Sequence, residues 1–406
     1  MAHLSRIGFG SYRVTAGTQE NEEALVKALR SGINLIDTST NYTDGKSEEL
    51  IGKVLKKVSN EIPREDLTII SKYGYIQGSN MRRLNQGQEF PEIVPYSPAC
   101  YHCIHPYYLQ DQLKRSLERM QIKYIDAYLI HNPEYYLMHN IKKANDRDKE
   151  LHLDEMQKRI GKAFDALERE VKNKTLCSYG ISSNSFSVIE EDLHFLPYRG
   201  LIKLAQEAAE KAGNPEHSFK YVQLPANMIE TVGLNAFVPW AASNGLKVII
   251  NRPLNAYFSN RLYRLATYKK VDNFKETFAS IKAHFLSNGN REIPRILDHL
   301  ENNMGKFQSY DHFEDSFNRD ILPFVKIRSF SVAELDMINR ALDMYKAQVC
   351  SMISDLTADS LKMLGISVKP PVQDQALSFL LNNKDITAVL LGMRKPAYVD
   401  TALKFK

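Results

Sequence analysis

The chain has 406 residues, 43% of them hydrophobic and 25% charged, with 19 Gly and 16 Pro; this is the make-up of an ordinary water-soluble globular protein and excludes disorder and fibrous structure. Its 53 basic and 48 acidic residues leave a net charge of +5, scattered rather than gathered into a stripe, which argues against a nucleic-acid partner. No apolar run reaches the ~18 residues of a membrane span, Met1 to Arg6 lacks the regions of a signal peptide, and the four cysteines are too few for a disulfide framework; the expectation is a reduced, cytoplasmic protein with no membrane association and no legible protein partner.

Short β-rich runs recur along the chain with amphipathic helical stretches between them. Ser5 to Gly10 opens the series. Glu22 to Ser31 follows as a helix with Leu25, Ala28 and Leu29 on one stripe, ended by Gly32, where a left-handed cap suits glycine. Next come the strand Asn34 to Thr38, the helix Ser47 to Lys57 with Leu50, Ile51, Val54 and Leu55 inward, and the strand Leu67 to Lys72. The helix Leu109 to Met120, the strand Ile125 to His131 and a helix near Asp154 to Lys172 continue the alternation. The remaining strands are Cys177 to Ser182, Tyr221 to Leu224, Lys247 to Asn251 and Ile386 to Leu391. Several carry uninterrupted apolar or small residues, as parallel strands covered on both faces do. Eight strands with helical crossovers over more than ~250 residues predict a (β/α)8 barrel.

Three gaps exceed a simple βα unit: Gly74 to Pro106, the polar stretch after His131, and the segment between Asn251 and Ile386, which contains amphipathic runs at Asn273 to Phe285 and Ser331 to Met344. All follow strands, so the elaboration falls on the C-terminal face, where active sites of such barrels sit. The chain thus reads as one barrel domain over residues 1–406 with a loop and helical insertion at about 255–380 before the last strand.

The same face collects titratable residues. Asp37 ends the second strand, Tyr42 follows five residues later, Lys72 ends the third strand and His131 the fourth. Singly each has a bland reading: a cap, a packed ring, a solvated ammonium, a core histidine. Together they suit one chemistry. A phenol with a pKa of about 10 can give up a proton but leaves a costly phenolate; Lys72 lowers that cost, Asp37 holds the ammonium, and His131 can hydrogen-bond and steer at a substrate oxygen. Such a set protonates a carbonyl oxygen while a hydride, which no side chain supplies, arrives from a cofactor.

On these residues the chain resembles the aldo-keto reductases. The resemblance runs through IGFGS (Ile7 to Ser11), DTSTNYTDGKSEELIG (Asp37 to Gly52), IISKYG (Ile69 to Gly74), SLERMQIKYIDAYLIHNPE (Ser116 to Glu134), YGISSNSF (Tyr179 to Phe186), QLPANM (Gln223 to Met228), NRPL (Asn251 to Leu254) and LLGMRKP (Leu390 to Pro396). It implies the (β/α)8 fold, the catalytic tetrad Asp37, Tyr42, Lys72 and His131, and NADPH as cofactor without a Rossmann glycine motif, NADH being compatible. The implied activity is reduction of an aldehyde or ketone to an alcohol, or its reverse. Ser182 with Ser183 or Asn184, and Gln223, are then the contacts to the nicotinamide carboxamide, the alternative being that the serines cap the next helix. Asn251, Arg252, Pro253 and Leu254 fall in the cofactor region. Gly392 permits close backbone approach, and Arg394 and Lys395 are suited to an adenosine 2′-phosphate.

Two features depart from the family pattern. Asn251 stands where many relatives carry an aromatic residue that stacks on the nicotinamide, and Ala397 to Ala402 lacks the Glu-Asn pair many use around the adenine. Separately, Cys100, His102, Cys103 and His105 form a CxHCxH run, but no second ligand pair completes a zinc site, and none is expected. The rival from another class is a regulatory binding protein that keeps barrel and nucleotide, as the potassium-channel β-subunit branch of the family does.

Overall fold

A computed structural model describes residues 4–141, 146–307, 310–321, 323 and 330–406; Met1 to His3, read above for signal features, lie outside the described residues. The chain divides into two compact units, one of Met1–Ala226, Glu230–Pro253 and Phe379–Lys406, the other of Asn227–Ile229 and Leu254–Ser378.

The first unit holds a closed barrel. Thirteen strands occur among the described residues: β1 (Ile7–Gly10), β2 (Leu35–Asp37), β3 (Thr68–Tyr73), β4 (Tyr75–Ile76), β5 (Val94–Ser97), β6 (Cys100–His102), β7 (Ala127–His131), β8 (Tyr179–Ser182), β9 (Phe219–Pro225), β10 (Lys247–Asn251), β11 (Asn255–Phe258), β12 (Arg261–Arg264) and β13 (Ala388–Gly392). Eight of them close in the order β1-β13-β10-β9-β8-β7-β3-β2, every neighbouring pair parallel. This is the (β/α)8 fold, and all eight strands read from the sequence are present. Their apolar runs make sense inside it: Leu35, Ile70, Leu129, Tyr221, Ile249 and Leu390 form one buried cluster, so the barrel interior is a packed core. Gly180 is required in β8, because a Cβ there would overlap the Tyr221 carbonyl oxygen.

The register brings the strand ends together. Asp37 lies opposite Gly10, Lys72 opposite Leu129, His131 opposite Ser182, Ser182 opposite Gln223, and Gly10 opposite Gly392. Helix Gln19–Arg30 buries Leu25, Ala28 and Leu29, Lys46–Val58 buries Leu50, Ile51 and Val54 with Leu55 half-buried, and Pro106–Met120 buries Leu109 and Leu113. The first long gap is not irregular: β4, β6 and β5 form a small antiparallel sheet around a helix at Gly78–Asn85.

The second unit has a core of its own, with Phe278, Phe285, Leu297, Phe313, Leu342 and Tyr345 at its centre. Its helix Val332–Met363 begins with a capping box between Ser331 and Glu334 and runs 19 residues past the stretch legible in the sequence, which stopped at Met344. The later turns bury Ser351, Ser354 and Thr357 beside Ile353 and Leu361, so a polar residue at an inward position breaks the apolar period although the helix continues. Among the described residues no helix is long and apolar enough to cross a membrane.

Candidate active site

Strand ends build the site. Asp37, last in β2, and Lys72, in β3, are both buried, and Lys72 Nζ lies 2.5 Å from the Asp37 carboxylate. The ammonium also donates to the Thr38 carbonyl at 2.8 Å and to the Tyr42 hydroxyl at 3.5 Å. Burial pushes the Asp37 carboxyl up and the Lys72 ammonium down from their ordinary values, while their mutual contact opposes both shifts. Tyr42 opens the single turn Tyr42–Gly45 after β2, where Thr43 and Asp44 take up left-handed conformations. Its hydroxyl sits deep: burial, then the Asp37 carboxylate and Tyr12, drive the phenol well above its ordinary value. The consequence is a phenol that is protonated at neutral pH. Tyr12 stands edge-on to it at 5.2 Å and is itself exposed.

His131 ends β7 with its ring edge-on to Tyr42 at 6.2 Å. Burial, the Lys72 charge and His102 hold its imidazole well below its ordinary value, so it is neutral. Its Nδ1 is 3.2 Å from the Ser39 hydroxyl, whose single proton serves either that nitrogen or Asn41 Oδ1, 2.7 Å away. One ring nitrogen is thereby fixed, and the orientation of the other follows.

Around the rim, Gln223 in β9 donates from Nε2 to Asp37 at 3.0 Å and accepts at Oε1 from Ser182 at 3.3 Å and Asn251 at 3.1 Å. It therefore ties the tetrad to the strands expected to meet the cofactor. Ser183 caps the short helix Asn184–Ser187 through the Ser185 N–H and donates to Glu134 at 2.8 Å; the Asn184 N–H also reaches Glu134, at 3.0 Å, and its side chain faces solvent. Asn251 Oδ1 is buried and has no hydrogen-bond partner. Arg252, at a left-handed φ of 52°, pairs with Glu230 at 2.8 Å, Pro253 is buried, and Leu254 belongs to the second unit, packed on its Met228 and Leu265 cluster. Gly392 ends β13 exposed. Arg394, whose carbonyl accepts from Asn21 at 2.8 Å, and Lys395, 3.7 Å from Glu20, follow it at the start of the helix Pro396–Leu403.

Three residues escaped the sequence reading. Ser39 lies inside a quoted motif but carries no charge to mark it. Glu134 also lies inside one, yet nothing local shows that its carboxyl is enclosed and pushed up to about 7 by burial. In the sequence His102 is marked only by its place in the CxHCxH run. In the structure its Nε2 meets the His131 carbonyl at 2.7 Å, while His105 caps the next helix and the Cys103 thiol points at the Pro91 carbonyl. Among the described residues no group of His, Cys, Asp or Glu is arranged to hold a metal ion.

The profile described as the Aldo/keto reductase family matches residues 6–306. The chain belongs to this family. Among curated relatives, the NADH-specific methylglyoxal reductase of Escherichia coli is 31% identical over 139 residues, 32% of this chain and 38% of that protein. The NAD(P)H-dependent D-xylose reductase of Scheffersomyces stipitis is 29% identical over 132 residues, 32% of each chain. The chain thus spans well under half the length of these two relatives. The holo form of aldo-keto reductase AKR11C1 from Bacillus halodurans, 16% identical, superposes over 99% of this chain and 86% of its own with a TM-score of 0.51, which bears on the fold. In this member of the family Asp37, Lys72 and His131 stand at or next to the C-terminal ends of barrel strands, the face on which such barrels carry their sites.

Proposed function

We propose that this aldo-keto reductase reduces a small aldehyde or ketone to an alcohol, with NADPH as donor and NADH as the alternative, and that Tyr42 delivers the proton. One observation carries the reading: a phenol held protonated by its surroundings has a carboxylate-bound ammonium 3.5 Å from its oxygen. When bound, the nicotinamide supplies the hydride. Tyr42 gives its proton to the carbonyl oxygen, and the phenolate left behind gains the adjacent Lys72 charge. Asp37 and the Thr38 carbonyl keep that ammonium in place. His131, neutral, orients the substrate oxygen through an Nε2 N–H, which requires its Nδ1 to accept from the Ser39 hydroxyl. The reverse sequence oxidises an alcohol with the same groups.

The rim suits a carboxamide. The buried Asn251 Oδ1 lacks a donor, and an amide NH2 is a donor of the right kind. Ser182, Gln223 and the exposed Asn184 side chain complete the contacts, while Ser183, already committed to Glu134 and its cap, holds the turn, and Arg252 and Pro253 border it. Gly392, Arg394 and Lys395 take the 2′-phosphate, the backbone approaching at Gly392 and the two cations pairing with the phosphate charge. We read the segment at about 255–380 as an insertion in a single barrel chain, a reading supported by the compact unit of Asn227–Ile229 and Leu254–Ser378. The four free thiols support a reducing compartment such as the cytoplasm.

The test is steady-state reduction of a panel of small aldehydes and ketones with NADPH and NADH. Many turnovers per protein support the enzyme; oxidation of a single equivalent of NADPH that stops there would favour the nucleotide-binding regulator instead.

A further inference from the structure

We propose that His102 is a positioning residue: by donating a ring N–H to the main-chain carbonyl of His131 it fixes the end of β7, and so the place where the His131 imidazole meets the substrate. The inference rests on the reading above that His131 contacts the substrate oxygen.

The contact arises from where the sheet stops. Pairing of β3 with β7 ends at Tyr73 and Ile130, one residue short of His131, and the next residue in β7's path, Asn132, turns away at a φ of 53°. The His131 carbonyl is thus beyond the β3 ladder. His102 supplies the donor, at 2.7 Å. A carbonyl only accepts, so the proton must be on Nε2. Burial holds the His102 ring at a pKa of about 4, so near neutral pH it carries that single N–H and no charge.

The small sheet in the first long gap delivers this ring. Antiparallel pairing sets His102 opposite Tyr75, and the Cys103 N–H closes on the Gly74 carbonyl at 2.8 Å. The His102 ring stacks on Tyr135 at 5.2 Å and stands edge-on to Tyr75, 5.6 Å away; Tyr75 in turn stands edge-on to His131 at 4.8 Å. Gly74, at a φ of 150°, leaves the room: a Cβ there would lie 2.6 Å from the His131 oxygen and 2.7 Å from His102 Nε2. The backbone of His131 is thus held from one side by His102 and its ring from the other by Ser39.

Two measurements test the proposal. In the wild-type protein, nitrogen-15 NMR should find His102 neutral, protonated at Nε2, with a slowly exchanging N–H coupled to the His131 carbonyl carbon. An exposed, rapidly exchanging His102 N–H overturns the proposal without any variant. His102→Phe keeps the stacked ring and removes the donor; kcat should fall about 10-fold or more, since displacing a reacting group by about 1 Å costs up to about 100-fold, while KM and NADPH affinity hold. His102→Gln, whose amide can still donate, should recover most of the loss. A His102→Phe enzyme with wild-type kcat, or one whose loss His102→Gln does not relieve, overturns the positioning role. Failure of the wild-type protein to reduce any carbonyl would instead count against the proposed reaction and hence against this role in it.

Discussion

On the β2, β3 and β7 side of the barrel mouth the site is built from charges that neutralise one another, Asp37 against Lys72, with Tyr42 and a neutral His131 beside them. On the β8, β9 and β10 side it is built from a hydroxyl and two amides, Ser182, Gln223 and Asn251, and one buried acceptor is left without a donor. The difference follows from what burial costs. An unpaired charge in the interior would cost the fold several kcal/mol, so the ionic side is complete before anything binds. An unmet amide acceptor costs only about 1–3 kcal/mol, which the fold can carry on the neutral side at Asn251 Oδ1. Gln223 spans both, donating to Asp37 while accepting from the amide side.

The sharpest way to break this contrast is Tyr42→Phe, which keeps the ring and removes the acidic hydroxyl. Carbonyl reduction should fall about 100- to 10,000-fold, the range for a lost general acid, with NADPH affinity retained in a fluorescence titration. Full activity at saturating NADPH would remove the proposed proton donor.

Lys72→Met strips the partner from a buried carboxylate and should cost about 3–5 kcal/mol in urea unfolding. Combining it with Asp37→Asn should restore part of that loss, because the uncompensated charge is gone. If the two losses simply add, the pair does not stabilise the barrel as a unit.

Glu134 links the halves through the turn after β7, and its carboxyl is held at about 7 against an ordinary 4.5. A carboxyl raised on folding contributes stability that is present below pH 4.5 and lost as pH rises through about 7. The expected loss is about 3 kcal/mol, at 1.36 kcal/mol per pKa unit. Thermal midpoints at pH 5 and pH 8 should therefore differ more for the wild type than for Glu134→Gln. Equal pH slopes would mean that Glu134 titrates normally.

Asn251→Ala and Arg394→Ala probe the neutral side and should give the smallest effects. Loss of a single amide contact should weaken both dinucleotides about 5- to 10-fold, on the order of 1 kcal/mol. Loss of Arg394 should weaken NADPH about 10-fold or more, as expected for a charge-assisted contact, and leave NADH nearly unchanged. Equal weakening by Arg394→Ala would place the 2′-phosphate elsewhere.

Much of this was legible in the chain. The eight barrel strands are legible because several are short apolar runs suited to cover on both faces, and the candidate tetrad because three titratable residues end successive strands with Tyr42 five residues after the first. The small sheet β4-β6-β5 was not, since its strands are two to four residues long and alternate too briefly to show a period. The cysteine and histidine spacing in that loop suggests no complete zinc site, and what it does not show is where the side chains go: His102 to a carbonyl, His105 to a helix cap and Cys103 to a neighbouring loop.

The sequence by itself determined the alternation of strand and helix and the residue types available at the rim, because hydrophobic periodicity and strand-end position are local properties. Only the tertiary structure decided which of those groups meet and in what protonation state. Asp37 and Gln223 are 186 residues apart in sequence and 3.0 Å apart in space. The neutral His131, the raised Glu134 and the His102 contact all depend on burial and on neighbours from distant elements, and neither is written in the residues beside them.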